Sequence, residues 1–548
     1  MARLMGQMMQ MPLMISSLLV HAARHNGDTE IVSKRVEGDI HRYTYKDAEL
    51  RARKLAQAFA KLGCEPGDRV ATLAWNGYRH FEIYYGASGS ELVCHTINPR
   101  LFPEQIAWIA NDAADKVLCF DLTFLPLVEK LVPALTSVKH YVAMVGRSHM
   151  PAQTTIPNLL CYEELVDAED GVYRWPEFDE NTASSICYTS GTTGNPKGAV
   201  YSHRSTLLHS YGLALPDGMG VSGKDVILPV VPMFHVNAWG TPYAAPMIGA
   251  KLVFPGPHLD GKSLYELMEG EKVTFSAGVP TVWLGLINFA QAGKLKFSSL
   301  KSTVIGGSAC PPAMMRTLED EFGIEVIHAW GMTEMSPLGT LSKLKGKHDA
   351  LPLEARRRIL EKQGKVIFGV DMEIIDDDGA ALPWDAKASG NLVVRGPWII
   401  RSYFQRNESP LVKVNGREWF PTGDVAAIDA DAYMQITDRS KDVIKSGGEW
   451  ISSIDLENIA MGHPAVLEAA AIACRHPKWD ERPLLVVVKK AGAELTRDQM
   501  LAFFDGKIAK WQIPDDVVFA PEIPHTATGK IQKLKLRDMY KDHKLPGA

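Results

Sequence analysis

The sequence predicts an α/β fold with a large N-terminal domain built on several sheets and a small α+β domain at the C-terminus. Helix-like and strand-like segments alternate from residue 41 to residue 180 and beyond, which is typical of layered, mostly parallel sheets. Short β-rich pieces with hairpin-like turns follow from about residue 390. A chain of 548 residues is also too long for one core and should divide into domains.

Individual segments support this alternation in chain order. Residues 44–63 place apolar side chains three and four positions apart, which predicts a helix that stops at Gly63. Residues 68–75 and 115–121 are short apolar runs that predict strands. Further strand-like runs are KLVFPG (251–256), VTFSAGVP (273–280), STVIGG (302–307) and EVIHAWG (325–331).

The N-terminal segment has an apolar middle that faintly resembles a secretory signal. Only Arg3 supplies positive charge, and Gln7, Gln10 and Pro12 interrupt the segment. We therefore expect an amphipathic helix from about Met14. No window reaches the roughly 18–20 consecutive apolar residues that a membrane span needs.

The pattern of predicted secondary structure changes near residue 438, which predicts a domain boundary. The β-rich segments end in a charged, turn-like joint at residues 438–441, and a helix–strand–helix pattern follows. We therefore expect an N-terminal domain over residues 1–437, a hinge at 438–441 and a small C-terminal domain over residues 442–548.

Charge and cysteine usage narrow the functional classes. A formal net charge of -5, which no long run of lysine or arginine compensates, argues against a nucleic-acid-binding protein. The seven cysteines lie far apart with no C-x-x-C pair, which is typical of reduced thiols in a cytosolic protein.

A loop of small hydroxyls and glycines, TSGTTGNPKG (189–198), lies between two strand-like runs. It is not a Walker A loop, because the sixth position counted from Gly191 is Pro196. No G-x-G-x-x-G follows a strand, which argues against a dinucleotide-binding fold. The glycines allow backbone N–H groups to turn toward an anion. Groups that can bind phosphate oxygens are the hydroxyls of Thr189, Ser190, Thr192 and Thr193 and the ammonium of Lys197.

This loop and six further motifs resemble the adenylate-forming superfamily of acyl-CoA synthetases, luciferases and peptide-synthetase adenylation domains. The resemblance runs from about residue 15 to about residue 540, with the motifs in the family's order. They are YTSGTTGNPKG (188–198), PMFHVNAWG (232–240), GGSACP (306–311), HAWGMTEMSP (328–337), PTGD (421–424), DRSKDVIKSGGEWISSIDLE (438–457) and HTATGK (525–530). Three stretches, VVPMFHVNAWG, AGVPTVW and KSGGEWISSIDLEN, look most like bacterial medium- and long-chain fatty acyl-CoA synthetases and the related 3-methylmercaptopropionate–CoA ligases.

The resemblance implies a reaction in two halves. A carboxylate attacks the α-phosphate of ATP to give an acyl-adenylate and pyrophosphate, and the thiol of coenzyme A then displaces AMP. Mg²⁺ is the expected neutraliser of the polyphosphate because it is a hard, oxygen-seeking cation. Glu334 matches the family's metal ligand, with the Thr189 hydroxyl beside it, and Thr333 is expected to bond the α-phosphate.

The same resemblance places the nucleoside. Asp424 is expected to accept both ribose hydroxyls, as a carboxylate can with its two oxygens, and Arg439 to contact the ribose. The expected adenine slot is formed by Gly307, Ser308, Ala329 and Trp330.

Lys530 matches the family's catalytic lysine and should bring its ammonium to the charge that develops during adenylation. Coenzyme A must enter where that lysine stood, so the resemblance implies that the small domain rotates about Lys441. The new face would present residues 445–450, beginning with Lys445, to the pantetheine arm.

In close relatives of this kind, the histidine equivalent to His235 borders the acyl site and the tryptophan equivalent to Trp239 gates the fatty-acid tunnel. The expected activity is therefore a cytoplasmic, homodimeric acyl-CoA synthetase for medium-chain fatty acids or short methylthio carboxylates. Alternatives are a long-chain or aromatic acid ligase, an acyl-AMP ligase that loads a carrier protein, and a non-catalytic nucleotide-binding protein. We expect no nucleic-acid partner.

Overall fold

The computed structural model describes residues 4–189, 195–439, 441–446, 449–525 and 530–546. The chain forms two compact bodies. The first comprises Met1–Pro216, Gly220–Leu259 and Tyr403–Arg406, and the second comprises Asp217–Met219, Asp260–Ser402 and Asn407–Ala548.

The first body alternates helices and strands. Its strands are β1 (Glu30–Lys34), β2 (Ile40–Thr44), β3 (Arg69–Leu73), β4 (Val93–Thr96), β5 (Asp115–Phe120), β6 (His140–Ala143), β7 (Leu160–Cys161), β8 (Ala183–Tyr188), β9 (Gly198–Ser202), β10 (Val226–Pro229) and β11 (Lys251–Phe254). Its helical segments are α1 (Ile15–His25), α2 (Tyr45–Lys61), α3 (Tyr78–Gly89), α4 (Pro103–Asp112), α5 (Leu125–Leu131), α6 (Tyr162–Asp167), α7 (His203–Ala214), α8 (Val236–Trp239) and α9 (Thr241–Ile248).

A seven-stranded sheet in the order β7-β6-β5-β3-β4-β8-β9 carries the loop that follows Tyr188. All neighbouring pairs are parallel except β8 and β9, which are antiparallel and flank the loop. One hydrophobic core packs on this sheet and includes the fully buried Leu118, Phe120 and Val128. A second set of strands in this body pairs in the order β10-β11-β1-β2.

The predicted N-terminal helices are confirmed. The helix α1 begins directly after Met14. In α2 the hydroxyl of Thr44 accepts a hydrogen bond from the backbone N–H of Asp47, whose carboxylate accepts one from the Thr44 N–H. This reciprocal capping satisfies two amide donors that would otherwise lack partners. Gly63, at a left-handed φ of 77°, follows the helix as the predicted stop.

The second body continues the alternation and then becomes β-rich. Its strands are β12 (Phe275–Gly278), β13 (Ser302–Ile305), β14 (Glu325–Gly331), β15 (Leu338–Leu341), β16 (Lys365–Val366), β17 (Asp371–Ile375), β18 (Ser389–Arg395), β19 (Val412–Val414), β20 (Arg417–Ile428), β21 (Met434–Arg439), β22 (Ile444–Ser446), β23 (Glu449–Ile451), β24 (Val466–His476), β25 (Asp480–Lys489) and β26 (Asp516–Phe519). Its helices are α10 (Gly261–Gly270), α11 (Pro280–Ala292), α12 (Pro312–Arg316), α13 (Leu353–Leu360), α14 (Ser453–Met461), α15 (Arg497–Ala502) and α16 (Lys533–Met539).

Three groups of strands organise this body. Strands β12, β13 and β14 are parallel neighbours, and β15 and β16 extend them in antiparallel pairing. An antiparallel sheet has the order β17-β18-β20-β19, with β21 also on β20. The C-terminal sheet has the order β23-β22-β25-β24, with β26 on β25, and packs between two hydrophobic clusters of its own. The strands β12 to β14 and the β-rich pattern from about residue 390 agree with the sequence predictions. The C-terminal segment differs from the predicted helix–strand–helix pattern, because strands β22 and β23 precede helix α14.

The segment expected to be a turn-like joint differs from the prediction. Asp438 and Arg439 close strand β21, and the side chain of Asp438 is buried. Its carboxylate accepts hydrogen bonds from the backbone N–H groups of Ser453 and Arg439, each at 2.7 Å. An acidic side chain can therefore cap the start of α14 from inside the protein, a use that charge patterning alone does not distinguish from a solvated turn.

In the described part of the chain, none of the helices has the length and hydropathy required of a bilayer-crossing helix.

Candidate active site

The phosphate-type loop is closed at its base by a pair of facing residues. The backbone N–H of Thr189 donates to the carbonyl of Lys197 at 2.9 Å, and the N–H of Lys197 donates to the Thr189 hydroxyl at 3.3 Å. Because that hydroxyl accepts here, its own proton remains available for a phosphate oxygen. The predicted phosphate contacts Ser190, Gly191, Thr192 and Thr193 lie outside the described residues.

The segment Tyr403–Arg406 contacts Lys197 and Gly198 at the C-terminal end of this loop, and no local sequence pattern predicts that contact. The Lys197 ammonium lies 5.0 Å from the centre of the Tyr403 ring, within cation–π range. The backbone N–H of Phe404 donates to the carbonyl of Gly198 at 2.8 Å. A side chain at Gly198 would approach Phe404 and Tyr188 within 3.1 Å, so close packing requires glycine there.

A second contact fixes the strand that leads into the loop. The hydroxyl of Tyr188 donates to Asp112 at 2.7 Å, and the guanidinium of Arg406 lies 3.8 Å from the other oxygen of that carboxylate. The end of strand β8 that leads into the loop is therefore held to the last residue of helix α4.

The residues of the predicted adenine slot lie at the ends of two adjacent parallel strands. Gly307 and Ser308 follow β13, and Ala329 and Trp330 are buried near the end of β14. Gly307 has a left-handed φ of 81°, which glycine adopts without a steric penalty. A side chain at Gly339 would come within 2.6 Å of the Trp330 ring. Gly339 was not predicted as part of this slot, because its close approach to Trp330 joins two strands and no local pattern marks it.

Asp424 is held on both of its carboxylate oxygens. The indole N–H of Trp330 donates to one oxygen at 2.9 Å, and the Arg439 guanidinium lies 3.3 Å from the other. Asp424 and Arg439 are direct partners in the pairing of β20 with β21. The carboxylate is therefore oriented by one neutral and one charged donor while it is largely buried, as a fixed hydroxyl acceptor should be.

Thr333 and Glu334 lie in a short 3-10 helix after β14, and both side chains are largely buried. The backbone carbonyl of Glu334 accepts a hydrogen bond from the Ile400 N–H at 3.0 Å. This hydrogen bond fixes the backbone of Glu334, from which the side chain extends.

Lys530 lies in the electrostatic field of these same residues. Burial and the positive charge of Arg439 lower the pKa of its ammonium from 10.5 to about 8, while the carboxylates of Asp424 and Glu334 act in the opposite direction. The structure therefore brings the predicted catalytic lysine together with the predicted ribose acceptor and the predicted metal ligand. Perturbed lysines of this kind are typical of functional sites.

The residues present suit Mg²⁺. Within the described ranges, no group of three or more His, Cys, Asp or Glu side chains is arranged to hold a metal ion. A single carboxylate is nevertheless what Mg²⁺ commonly takes from a protein when substrate phosphates and water complete its shell. Glu334 can supply that single carboxylate. That the Thr189 hydroxyl lies beside it at the metal stays a prediction.

The predicted acyl-site segment has an unusual backbone. From Val236 to Trp239, all four residues of α8 have left-handed φ angles between 47° and 54°. A left-handed helical residue costs roughly 1–2 kcal/mol relative to the right-handed form, and a β-branched residue such as Val236 tolerates it poorly. This strain cannot be predicted from the sequence, because the PMFHVNAWG motif has no glycine before position 240.

The left-handed turn ends at Gly240, whose φ is 80°. A side chain there would come within 2.8 Å of the His209 ring. The glycine therefore meets a backbone and packing requirement. His235 is half-buried directly before the turn, and Trp239 is buried to all but 8% of its surface at the end of it.

Lys441 and Lys445 are exposed, and the backbone N–H of Lys445 donates to Glu481 at 2.8 Å. Their roles at the hinge and toward coenzyme A stay predictions, as does the division of the chain into residues 1–437, a hinge at 438–441 and residues 442–548.

Comparison with known proteins identifies relatives of this chain. A sequence profile described as AMP-binding enzyme matches residues 19–404, and one described as AMP-binding enzyme C-terminal domain matches residues 455–530. A 3-methylmercaptopropionyl-CoA ligase of Ruegeria lacuscaerulensis is 54% identical over 98% of this chain and 99% of its own. A medium-chain-fatty-acid–CoA ligase of Ectopseudomonas oleovorans is 52% identical over 98% of each chain.

Among solved structures, the anthranilate CoA ligase AuaEII in complex with anthranoyl-AMP superposes with a TM-score of 0.85. Its sequence is 23% identical, and the match covers 97% of this chain and 98% of that one. At this identity the likeness concerns the fold, and it agrees with the α/β architecture described above.

Proposed function

Because this chain belongs to the family of AMP-binding enzymes, we propose that it joins a medium-chain fatty acid or a short methylthio carboxylate, such as 3-methylmercaptopropionate, to coenzyme A. It is an ATP-dependent acid–thiol ligase that forms acyl-CoA, AMP and pyrophosphate through an acyl-adenylate. The observation that carries this reading is the position of Lys530 in the field of Arg439, Asp424 and Glu334.

In the adenylation half-reaction, a carboxylate approaches the α-phosphate against charge repulsion, so the site must supply positive charge and oriented donors. Asp424, oriented by Trp330 and Arg439, accepts the ribose hydroxyls and sets the position of the α-phosphate. The Lys530 ammonium then stabilises the charge that develops there. Glu334 holds Mg²⁺, which neutralises the phosphates when bound.

In the thioester half-reaction, the pantetheine thiol replaces AMP on the acyl carbon. The proposed rotation about Lys441 removes Lys530 and brings residues 445–450 to the entrance. The exposure of Lys441 and Lys445 supports this proposal, because a hinge and a coenzyme contact both need solvent access.

The acid is proposed to lie beside Trp239 and α9. This helix buries Tyr243, Ala244 and Ala245, a mixture of small and aromatic side chains suited to an apolar chain. Each buried methylene is worth about 0.8 kcal/mol, so small changes in depth shift chain-length preference by large factors. A thioether is accommodated by the same surface because it is apolar and polarisable.

The proposal is tested by screening straight-chain, aromatic and methylthio acids for AMP formation with ATP and coenzyme A. We expect the highest kcat/KM with medium-chain acids or 3-methylmercaptopropionate. Acid should release pyrophosphate, and AMP should follow only when coenzyme A is present. Highest activity with long-chain or aromatic acids would reject the proposed substrate class, and AMP release that needs a carrier protein would reject coenzyme A as the acceptor.

Replacing Trp239 with alanine should alter acid preference more than ATP affinity, because the indole is proposed to line only the acid site. We expect the ratio of kcat/KM between two acids of different length to change by about tenfold or more, with little change in the KM for ATP. Saturation curves for both substrates check this. Trp384→Ala is the matched control, because the indole N–H of this tryptophan donates to Glu373 at 2.8 Å and neither residue belongs to the proposed acid site.

Replacing Glu334 with glutamine keeps the side chain's shape and removes its charge. We expect the Mg²⁺ concentration for half-maximal ATP–pyrophosphate exchange to rise by about tenfold, equivalent to about 1.4 kcal/mol. Glu325→Gln, an exposed glutamate on β14, should leave the Mg²⁺ dependence as in the parent enzyme. An unchanged Mg²⁺ requirement in Glu334→Gln would assign the metal to other groups.

We further propose a cytoplasmic homodimer. Several large apolar side chains near the N-terminus are exposed: Leu4, Met5, Met8, Met9 and Met11. A second copy of the chain would remove this surface from water. Light scattering of the purified protein should give twice the chain mass, and cell fractionation should recover the activity in the cytosolic fraction.

A further inference from the structure

Asn237 anchors the left-handed turn from its second position. Its side chain is 4% exposed, and its amide nitrogen donates to the Ser185 hydroxyl at 3.0 Å. Its amide oxygen accepts from the Cys187 thiol at 3.6 Å. Asparagine tolerates a left-handed φ better than most residues, and here the same side chain also binds the turn to the sheet.

The two partners of Asn237 belong to β8. Ser185 and Cys187 are two positions apart, so both side chains point to the same face of the seven-stranded sheet. The Cys187 thiol also lies 3.3 Å from the hydroxyl of Thr96, its cross-strand partner on β4. The anchor therefore reaches a parallel pair of strands in the interior of the sheet.

Trp239 is the last residue of the strained turn that contains Asn237. Four successive non-glycine residues are strained in the left-handed form, so the turn persists only where surrounding contacts over-determine it. One such contact is the hydrogen bond from the Thr241 hydroxyl to the carbonyl of Ala238 at 2.8 Å, at the far end of the turn. Asn237 supplies the contact at the near end.

We propose that Asn237 is a positioning residue for acid selection: by holding the turn Val236–Trp239 to Ser185 and Cys187, it sets where the Trp239 indole stands. The inference rests on the proposed acyl-CoA ligase function and deepens it. It assigns part of the chain-length selectivity to a residue that contacts the sheet, while Trp239 contacts the acid.

Two variants test the inference. Asn237→Gly keeps a residue that adopts the left-handed φ readily and removes the side-chain anchor. Ser185→Ala removes one partner at a fully buried position while Asn237 stays in place. Asn158→Gly is the matched control, because Asn158 is an exposed asparagine with a left-handed φ of 48°.

The measurement is kcat/KM for a series of straight-chain acids and 3-methylmercaptopropionate, with the KM for ATP measured alongside. In Asn237→Gly we expect the ratio of kcat/KM between the shortest and the longest acid to change by about tenfold. Ser185→Ala should shift it in the same direction by less, and the KM for ATP should hold in both. The control should keep the parent profile.

Three results would overturn the inference. The first is an acid profile that stays unchanged in both folded variants. The second is an equal loss of kcat/KM for all acids and for ATP, as a general loss of structure would produce. The third applies if Asn237→Gly does not fold: an acid profile of Ser185→Ala that equals the parent's then rejects the inference. Absence of acid-dependent pyrophosphate exchange in the parent protein would instead remove the proposed function, and the inference with it.

Discussion

Replacing Lys530 with alanine is expected to slow acid-dependent ATP–pyrophosphate exchange by about 10²–10³-fold, the usual cost of removing one preorganised donor from a developing charge. The reason is that its ammonium lies in the field of Asp424 and Glu334, where the nucleotide is proposed to bind. Thioester formation from supplied acyl-AMP should continue, because that half-reaction does not need this charge.

The control is Lys535→Ala, an exposed lysine in the following helix, which should match the parent in both half-reactions. An equal loss of both half-reactions in Lys530→Ala would contradict the specific role and indicate a structural one.

The lowered pKa adds a pH signature to the same residue. Lys530 must be protonated to stabilise negative charge, and its pKa in the free enzyme is about 8. The kcat/KM for ATP in the exchange reaction reports the free enzyme, so it should fall as the pH rises through about 8. In Lys530→Arg the guanidinium stays protonated, and the decline should move to higher pH.

Replacing Asp424 with alanine should lower kcat/KM for ATP by about 10²-fold, because two hydrogen bonds to a charged acceptor are each worth about 1.5 kcal/mol or more. The substitution also leaves the Trp330 indole N–H and the Arg439 guanidinium without the carboxylate that orients them. The effect should appear on ATP and leave the ranking of acids unchanged.

A comparison of ATP with 2′-deoxy-ATP isolates the ribose contact. The parent enzyme should prefer ATP, and Asp424→Ala should lose that preference, since the hydroxyl then has no carboxylate to donate to. Asp429→Ala removes another carboxylate of the β20–β21 hairpin, one that pairs with Lys362 at 2.6 Å, and should keep the preference. If Asp424→Ala discriminates as strongly as the parent, the ribose role is wrong.

Much of the proposed nucleotide site could be predicted because its residues lie in contiguous motifs. Glycines and hydroxyls in a loop between strands indicate a phosphate site through local chemistry alone. The strands β8 and β9 flank that loop as the sequence predicted. Tyr403 was not predictable, since its contact with Lys197 joins segments far apart in the chain and no local pattern marks it.

The joint at residues 438–441 shows the opposite case. A run of charged residues normally indicates a solvated turn, and that reading failed for Asp438, which is buried and bonds the first backbone amide of α14. A carboxylate that finds backbone donors can be buried, and only the tertiary structure shows whether the donors are present.

The sequence by itself predicted the alternation of strands and helices, because periodicity acts over short spans of chain. Its resemblance to a known family, carried by short motifs, led to the proposed nucleotide-site residues. The tertiary structure alone decided the left-handed turn before Gly240, the lowered pKa of Lys530 and the two donors on Asp424. Each of these depends on burial and on partners distant in sequence, and desolvation and strain arise only once those partners are packed together.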